Sequence, residues 1–174
     1  MRSTHTQRTL ALRDGTCVEI REIRPGDAPA LQRLIGRLSE RTVYLRYFGP
    51  MKELSDRKAR HFAEVDGKDR FALVALDPDD EDEIVAVVRY DRENNTDDAA
   101  EYAALVEDKF QGKGLGIGMT KHLIEAAKER GIKHMFALVL HENRQMLNLL
   151  RALDLPEEFR WENGAEHVAM DLRG

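Results

Sequence analysis

The stretch that most constrains this chain runs from Glu101 to Gly118, with glycine at Gly112, Gly114, Gly116 and Gly118. The apolar residues ending at Val106 read as a strand, a polar turn follows, and helical periodicity begins after the glycines. Alternate glycines leave backbone N–H groups uncovered, so a ligand can approach them closely. The helix that follows adds its unpaired first donors and the positive end of its dipole. A strand, a glycine turn and a helix N-terminus together make an anion site, most naturally for phosphate. Two familiar phosphate loops are excluded by counting. A dinucleotide fingerprint needs glycine at Ile117 or Met119, and a P-loop needs Gly-Lys-Ser/Thr after its spacer.

With 174 residues, the chain has the length of one domain with a sizeable core. Hydrophobic residues make up 42% and charged residues 34%, a balance typical of soluble globular proteins. No apolar run reaches the roughly 20 residues of a membrane helix, and the first residues lack the apolar core of a signal peptide. Cys17 is the only cysteine, so an internal disulfide and a cysteine metal cluster are excluded, and no other metal spacing is present. A cytoplasmic location is expected. The net charge of −5 argues against nucleic acid as a partner.

Residues 1–15 read as a polar leader and residues 16–174 as a single domain. Thr16–Ile23 alternates like a half-buried strand, and Asp27 is placed to cap the helix that follows. Three helical segments end near Val65, with Pro50 stopping the second. The period then becomes two: Phe71–Leu76, Ile84–Tyr90 and Ala99–Val106 form a meander, with Asp77–Glu83 as a solvated turn. A helix from the glycines to Gly131, a buried strand Met135–Leu140, a helix from Asn143 and a hairpin about Asn163-Gly164 complete the chain. The expected class is α+β: a mixed, mostly antiparallel sheet of about six to seven strands flanked by helices.

The segment Gln111-x-x-Gly114-x-Gly116 resembles the Q/R-x-x-G-x-G/A signature of the GNAT N-acetyltransferases, and the order of elements beyond residue 15 is similar to theirs. Ile23–Asp27, Leu38–Phe48, Ala100–Ala103 and Val139–Met146 further resemble the bacterial protein-lysine acetyltransferases of the Pat type. The resemblance implies acetyl-CoA as cosubstrate, with its pyrophosphate on Gln111, Gly112, Lys113, Gly114, Leu115, Gly116, Ile117 and Gly118. It also implies a pantetheine arm against the backbone of Leu105 and Val106, and a contact from Asn143, which as a bare residue is equally a helix cap. Glu101 takes the position of the catalytic glutamate. Its largely apolar neighbours favour a raised pKa, as a base for a lysine ammonium requires.

The acceptor implied is a protein lysine, as on an acyl-CoA synthetase. A small-molecule amine acetyltransferase of the same fold and a non-catalytic acyl-CoA-binding module are the alternatives. Two departures stand out: no tyrosine follows Asn143 as general acid, and Leu153-Asp-Leu-Pro156 replaces the usual Leu-Gly-Phe. His141 is expected at the mouth of the opening, Phe159 and Trp161 closing the core or lining the acceptor pocket, and Cys17 buried and inert.

Overall fold

The computed structural model describes residues 8–49 and 51–174. The first seven residues of the expected leader, and Pro50, where a helix stop was expected, lie outside the described residues. Arg8–Ala11, read from sequence as part of the leader, forms strand β1 and pairs antiparallel with β2 (Cys17–Glu22). Helices α1 (Ala28–Arg37), α2 (Glu40–Tyr47) and α3 (Asp56–Ala63) follow. Strands β3 (Arg70–Asp77), β4 (Asp80–Arg92) and β5 (Ala99–Val106) form the meander. Then come α4 (Leu115–Glu129), β6 (His134–Leu140), α5 (Arg144–Ala152), β7 (Glu157–Glu162) and β8 (Ala165–Asp171).

The eight strands lie in the order β1-β2-β3-β4-β5-β6-β8-β7. Each neighbouring pair is antiparallel except β5–β6, which is parallel and joined by the α4 crossover. The eighth strand, beyond the six to seven expected, is β1. A four-residue strand with three polar or charged neighbours before it carries too little alternation to be read alone. The acidic turn is also shorter than expected, because Asp80–Glu83 join β4 and Asp77 pairs with Asp80.

Apolar side chains alternate to both faces of the sheet, so helices must cover both. Leu31, Leu34 and Ile35 of α1 and Ala59 and Ala63 of α3 pack with Ala72, Val74, Val87 and Leu105. On the other face Met119, Leu123 and Ala127 of α4 and Leu147 and Leu150 of α5 pack with Val88, Tyr90, Ala100 and Met135.

Caps and turns follow local chemistry. Ser39 and Ser55 accept from the N–H groups of Thr42 and Lys58 at the starts of α2 and α3. The β7–β8 turn puts Asn163 at φ 47° and Gly164 at φ 83°, the left-handed pair of a tight hairpin. Asp27 makes no cap bond to α1. Its carboxylate is buried and takes a two-pronged pair from Arg21, Nη1 and Nη2 each at 2.8 Å, plus the Arg24 N–H at 2.8 Å. Burial opposes ionisation there, yet the Arg21 and Arg24 donors hold the carboxyl below its ordinary value.

Phe159 and Trp161 are 42% and 58% exposed on the outer strand β7, not in the core. β7 is the outermost strand of the sheet, and the Arg151 guanidinium of α5 lies 5.3 Å from the Phe159 ring centroid. Cys17 is likewise exposed, because it begins β2 beside the edge strand.

Candidate active site

The site begins with a change of partner along β5. Its parallel pairing with β6 covers only Ala99–Glu101 against His134–Phe136, and beyond that the two strands diverge. Toward β4 the ladder is continuous, Ala86 facing Val106 and Arg92 facing Ala100. The Glu107 N–H donates to the Val85 carbonyl at 2.8 Å, and the Glu93 N–H to the Ala99 carbonyl at 2.9 Å. Hydrogen-bonded positions alternate in such a ladder, so Leu105 turns its peptide groups to β4 and Ala104 and Val106 turn theirs to the gap. Of the two backbone positions expected to face the gap, Val106 does and Leu105 does not. Ala104 takes its place, a substitution that only the register reveals.

The gap ends at the glycine loop. Gly112 at φ 75° and Gly114 at φ 87° occupy left-handed backbone, and a Cβ at either would strain it. Gly114 is the N-cap of α4. The N–H groups of Gly112, Lys113 and Gly114 have no acceptor among the described residues, and those of Leu115, Gly116 and Ile117 are first-turn donors of α4. Six consecutive donors without a backbone acceptor among the described residues therefore lie at a helix N-terminus.

Gly118 is different. Its N–H is spent on the Gly114 carbonyl at 3.1 Å, and a Cβ there would lie 2.5 Å from Leu10 of β1. It is a packing glycine for the edge strand that the sequence reading missed. Gly116 does both jobs, since a Cβ would meet Leu149 of α5 at 3.0 Å.

Side chains fix the loop from below. Gln111 Nε2 donates to the Val106 carbonyl at 2.9 Å and to Thr42 Oγ1 at 3.3 Å, so this side chain shapes the turn instead of pointing outward. Asp108 accepts from the Ser39 N–H at 3.0 Å, Ser39 Oγ at 2.7 Å and Thr42 Oγ1 at 3.0 Å. Burial opposes ionisation of Asp108, but these donors hold its carboxyl below the ordinary range. Buried Glu107 pairs with Arg37 of α1 at 3.2 Å. Lys113 Nζ lies 3.2 Å from Asp14, and its carbonyl accepts from the Arg13 N–H at 2.9 Å, tying the β1–β2 turn to the loop. Asn143 caps α5, its Oδ1 accepting from the Met146 N–H at 3.2 Å, and its amide nitrogen has no partner among the described residues.

Glu101 sits where the parallel pairing stops, on the sheet face that α1–α3 cover. Its register neighbours are Asp91 on β4 and Phe136 on β6. The side chain reaches solvent and makes no hydrogen bond or ion pair among the described residues. Partial desolvation, then repulsion from Asp91 and Glu93, raise its carboxyl above the ordinary value against the pull of Arg46. Beside it Phe136 stacks on His167 at 5.3 Å, and Leu138 is 43% exposed, so an open apolar strip flanks the acid. His141 is exposed beyond β6, with Nδ1 3.6 Å from Glu166 and its ring edge-on to Trp161 at 5.2 Å.

Sequence reasoning missed a second group on this face. Arg89 is 5% exposed and lines a cavity with Arg46, Tyr47, Phe62, Ala103 and Leu105. The signal was present, since a single charge interrupts the apolar run Ile84–Tyr90 and a buried charge needs a reason. Among the described residues no cluster of three or more His, Cys, Asp or Glu side chains could hold a metal ion.

Comparison with known proteins agrees with this geometry. Residues 37–154 match the model of the acetyltransferase (GNAT) family, and the chain belongs to that family. An acetyltransferase of Pseudomonas aeruginosa is 33% identical over 144 residues, covering 82% of this chain and 77% of that protein. The acetyltransferase Pat of Mycolicibacterium smegmatis is 30% identical over 146 residues, which cover 82% of this chain but only 42% of Pat. This chain thus spans less than half the length of that relative. The crystal structure of the GNAT domain of S. lividans PAT superposes with a TM-score of 0.88 at 30% identity, covering 98% of this chain and 99% of that one. The chain is an acetyl-CoA-dependent N-acetyltransferase.

Proposed function

We propose that this acetyltransferase acts on a lysine ε-amino group of a protein substrate, with Glu101 as the general base. The observation that carries the proposal is the position of Glu101. It is a carboxyl with no partner among the described residues, its pKa raised by desolvation, at the point where β5 and β6 part and beside an open apolar strip. A protein surface can lie along Phe136 and Leu138 and deliver one side chain to that point. The Pat relatives support the same reading.

The site fits the cosubstrate. Free donors of Gly112–Ile117 suit a pyrophosphate, and the edge of β5 at Ala104 and Val106, where only the Val106 carbonyl is taken up by Gln111, suits an amide-bearing arm lying like an added strand. The amide nitrogen of Asn143, without a partner among the described residues, is a further donor at the start of α5. Acetyl-CoA supplies an acetyl group activated as a thioester. Glu101 removes a proton from the lysine ammonium, directly or through one water. The free amine attacks the carbonyl carbon, the new C–N bond forms, and the C–S bond breaks to release the thiol. A thiol with pKa about 8.5 is a fair leaving group, which accommodates the lack of a tyrosine on α5. Residues 16–174, joined by β1, work as one catalytic domain in a cytoplasmic setting, with an acyl-CoA synthetase as the model substrate.

The test is acetyl transfer from acetyl-CoA to a purified acyl-CoA synthetase, read by mass spectrometry beside polyamines and free amino acids. Modification of a synthetase lysine at catalytic enzyme levels is expected. Turnover confined to small amines would refute the protein substrate, and saturable binding without transfer would refute turnover on this panel.

A further inference from the structure

We propose that Arg46 and Arg89 form an anion subsite beside Glu101, which selects acceptors carrying a carboxylate near the reacting amine. The inference rests on the acceptor site proposed above and names the chemistry of its substrate.

Arg89 is the anomaly. Its side chain springs from the middle of β4, between Val88 and Tyr90, and is almost wholly buried. Nη2 donates to the Phe62 carbonyl at 2.9 Å, and the guanidinium lies 4.8 Å from the Phe62 ring centroid. Nε is buried with no hydrogen-bond partner, and Nη1 has none among the described residues. Among those residues no carboxylate lies within ion-pair distance. Burying a cation without a counter-ion carries a large desolvation penalty, and burial pushes this guanidinium down to about 10. The nearest acid in register, Asp91, is engaged by Arg70 at 3.0 Å.

Arg46 adds a second cation to the same cavity. It comes from α2, is half-buried, and rests 4.7 Å from the Tyr47 ring centroid. It has no carboxylate partner among the described residues, and its field reaches both Arg89 and Glu101. Ala103, opposite Arg89 in the β4–β5 register, stands two positions after Glu101 on the same face of β5. That spacing is about 7 Å. One lining of the acceptor site therefore offers a proton acceptor and, within a side chain's reach, two cations without counter-ions among the described residues. An acceptor bearing both an amine and a carboxylate complements it, the amine at Glu101 and the carboxylate across the two guanidinium groups. The carboxylate can come from an acidic residue beside the target lysine or from the α-carboxylate of a free amino acid.

Two matched pairs of acceptors separate those sources. One pair is a lysine peptide with glutamate or glutamine next to the lysine; the other is free lysine and lysinamide. The readout is the ratio of kcat/KM within each pair. A preference of about tenfold for the carboxylate-bearing member is expected in whichever pair holds the natural source. The ratio falls toward one in Arg46→Gln and in Arg89→Met. The second variant replaces an uncompensated buried charge by an apolar side chain of similar length, so it is expected to fold. Ratios near one in the wild type for both pairs, or ratios unmoved in both variants, overturn the subsite while leaving the acetyltransferase reading intact. If neither lysine pair is acetylated, the lysine reading fails and the Tm in glutarate decides the subsite. A rise in the wild type lost in both variants supports it, and an equal response overturns it.

Discussion

Replacing Glu101 by glutamine separates catalysis from folding unusually cleanly. A lysine with pKa about 10.4 must lose a proton before it can attack, which at pH 7 costs roughly 4–5 kcal/mol. A positioned base contributes about 10²–10⁴-fold to such a step. Glutamine keeps the size of the side chain and cannot accept the proton, so kcat/KM at pH 7 is expected to fall about 10²–10³-fold. The deficit should shrink as pH rises, since the share of free amine in solution grows about tenfold per unit below its pKa. Wild-type activity should rise with pH through the raised Glu101 value, which lies above the ordinary 4.5.

Stability should respond in the opposite sense. A carboxyl whose pKa is higher folded than unfolded binds its proton more tightly in the native state, so stability declines as pH climbs through that interval. Glu101 has no bonded partner to lose among the described residues, and its charge is repelled by Asp91 and Glu93. The variant should therefore melt at or above the wild-type temperature at pH 7. Steady-state rates with a lysine substrate from pH 6 to about 10, beside thermal melts, supply both readings. A variant within a few-fold of wild type at pH 7, or one whose rate is flat with pH, would refute the assignment.

Gly114→Ala places a Cβ at φ 87°. A loss of about 1 kcal/mol in urea unfolding and a several-fold rise in KM for acetyl-CoA are expected, with kcat for bound substrate less affected. Asn143→Ala removes the acceptor for the Met146 N–H, at a cost of about 1 kcal/mol; a change in acetyl-CoA affinity on top of that would mark a cofactor contact. Asp27→Asn breaks a buried two-pronged pair, and chemical denaturation should show a loss of about 3 kcal/mol. Because the Asp27 carboxyl is held below 3.8, its contribution is full above that value and fades as pH falls through the lower native one. Acid titration of the wild type should show that limb and the variant should lack it. Gly118→Ala drives a methyl toward Leu10, so hydrogen exchange in β1 should quicken even where the loop still binds acetyl-CoA.

The sequence by itself determined the order of elements from β2 onward, the glycine loop and the place of Glu101 on the strand before it. These are local matters: hydrophobic period, turn residues and alternate glycines act within a few residues of themselves. Tertiary structure decided the rest. Gln111, read as a ligand contact, turns inward because Thr42 and the Val106 carbonyl lie within its reach. Gly118 serves β1 packing because a strand of four residues returns to it from over a hundred positions away. Ala104 replaces Leu105 at the gap because inter-strand register, not sequence, sets which peptides are spent on a neighbour. Arg89 was legible as a charge in an apolar run. That Arg46 joins it beside Glu101, and that no carboxylate among the described residues neutralises either, depended on where α2 settles against the sheet, which only long-range packing fixes.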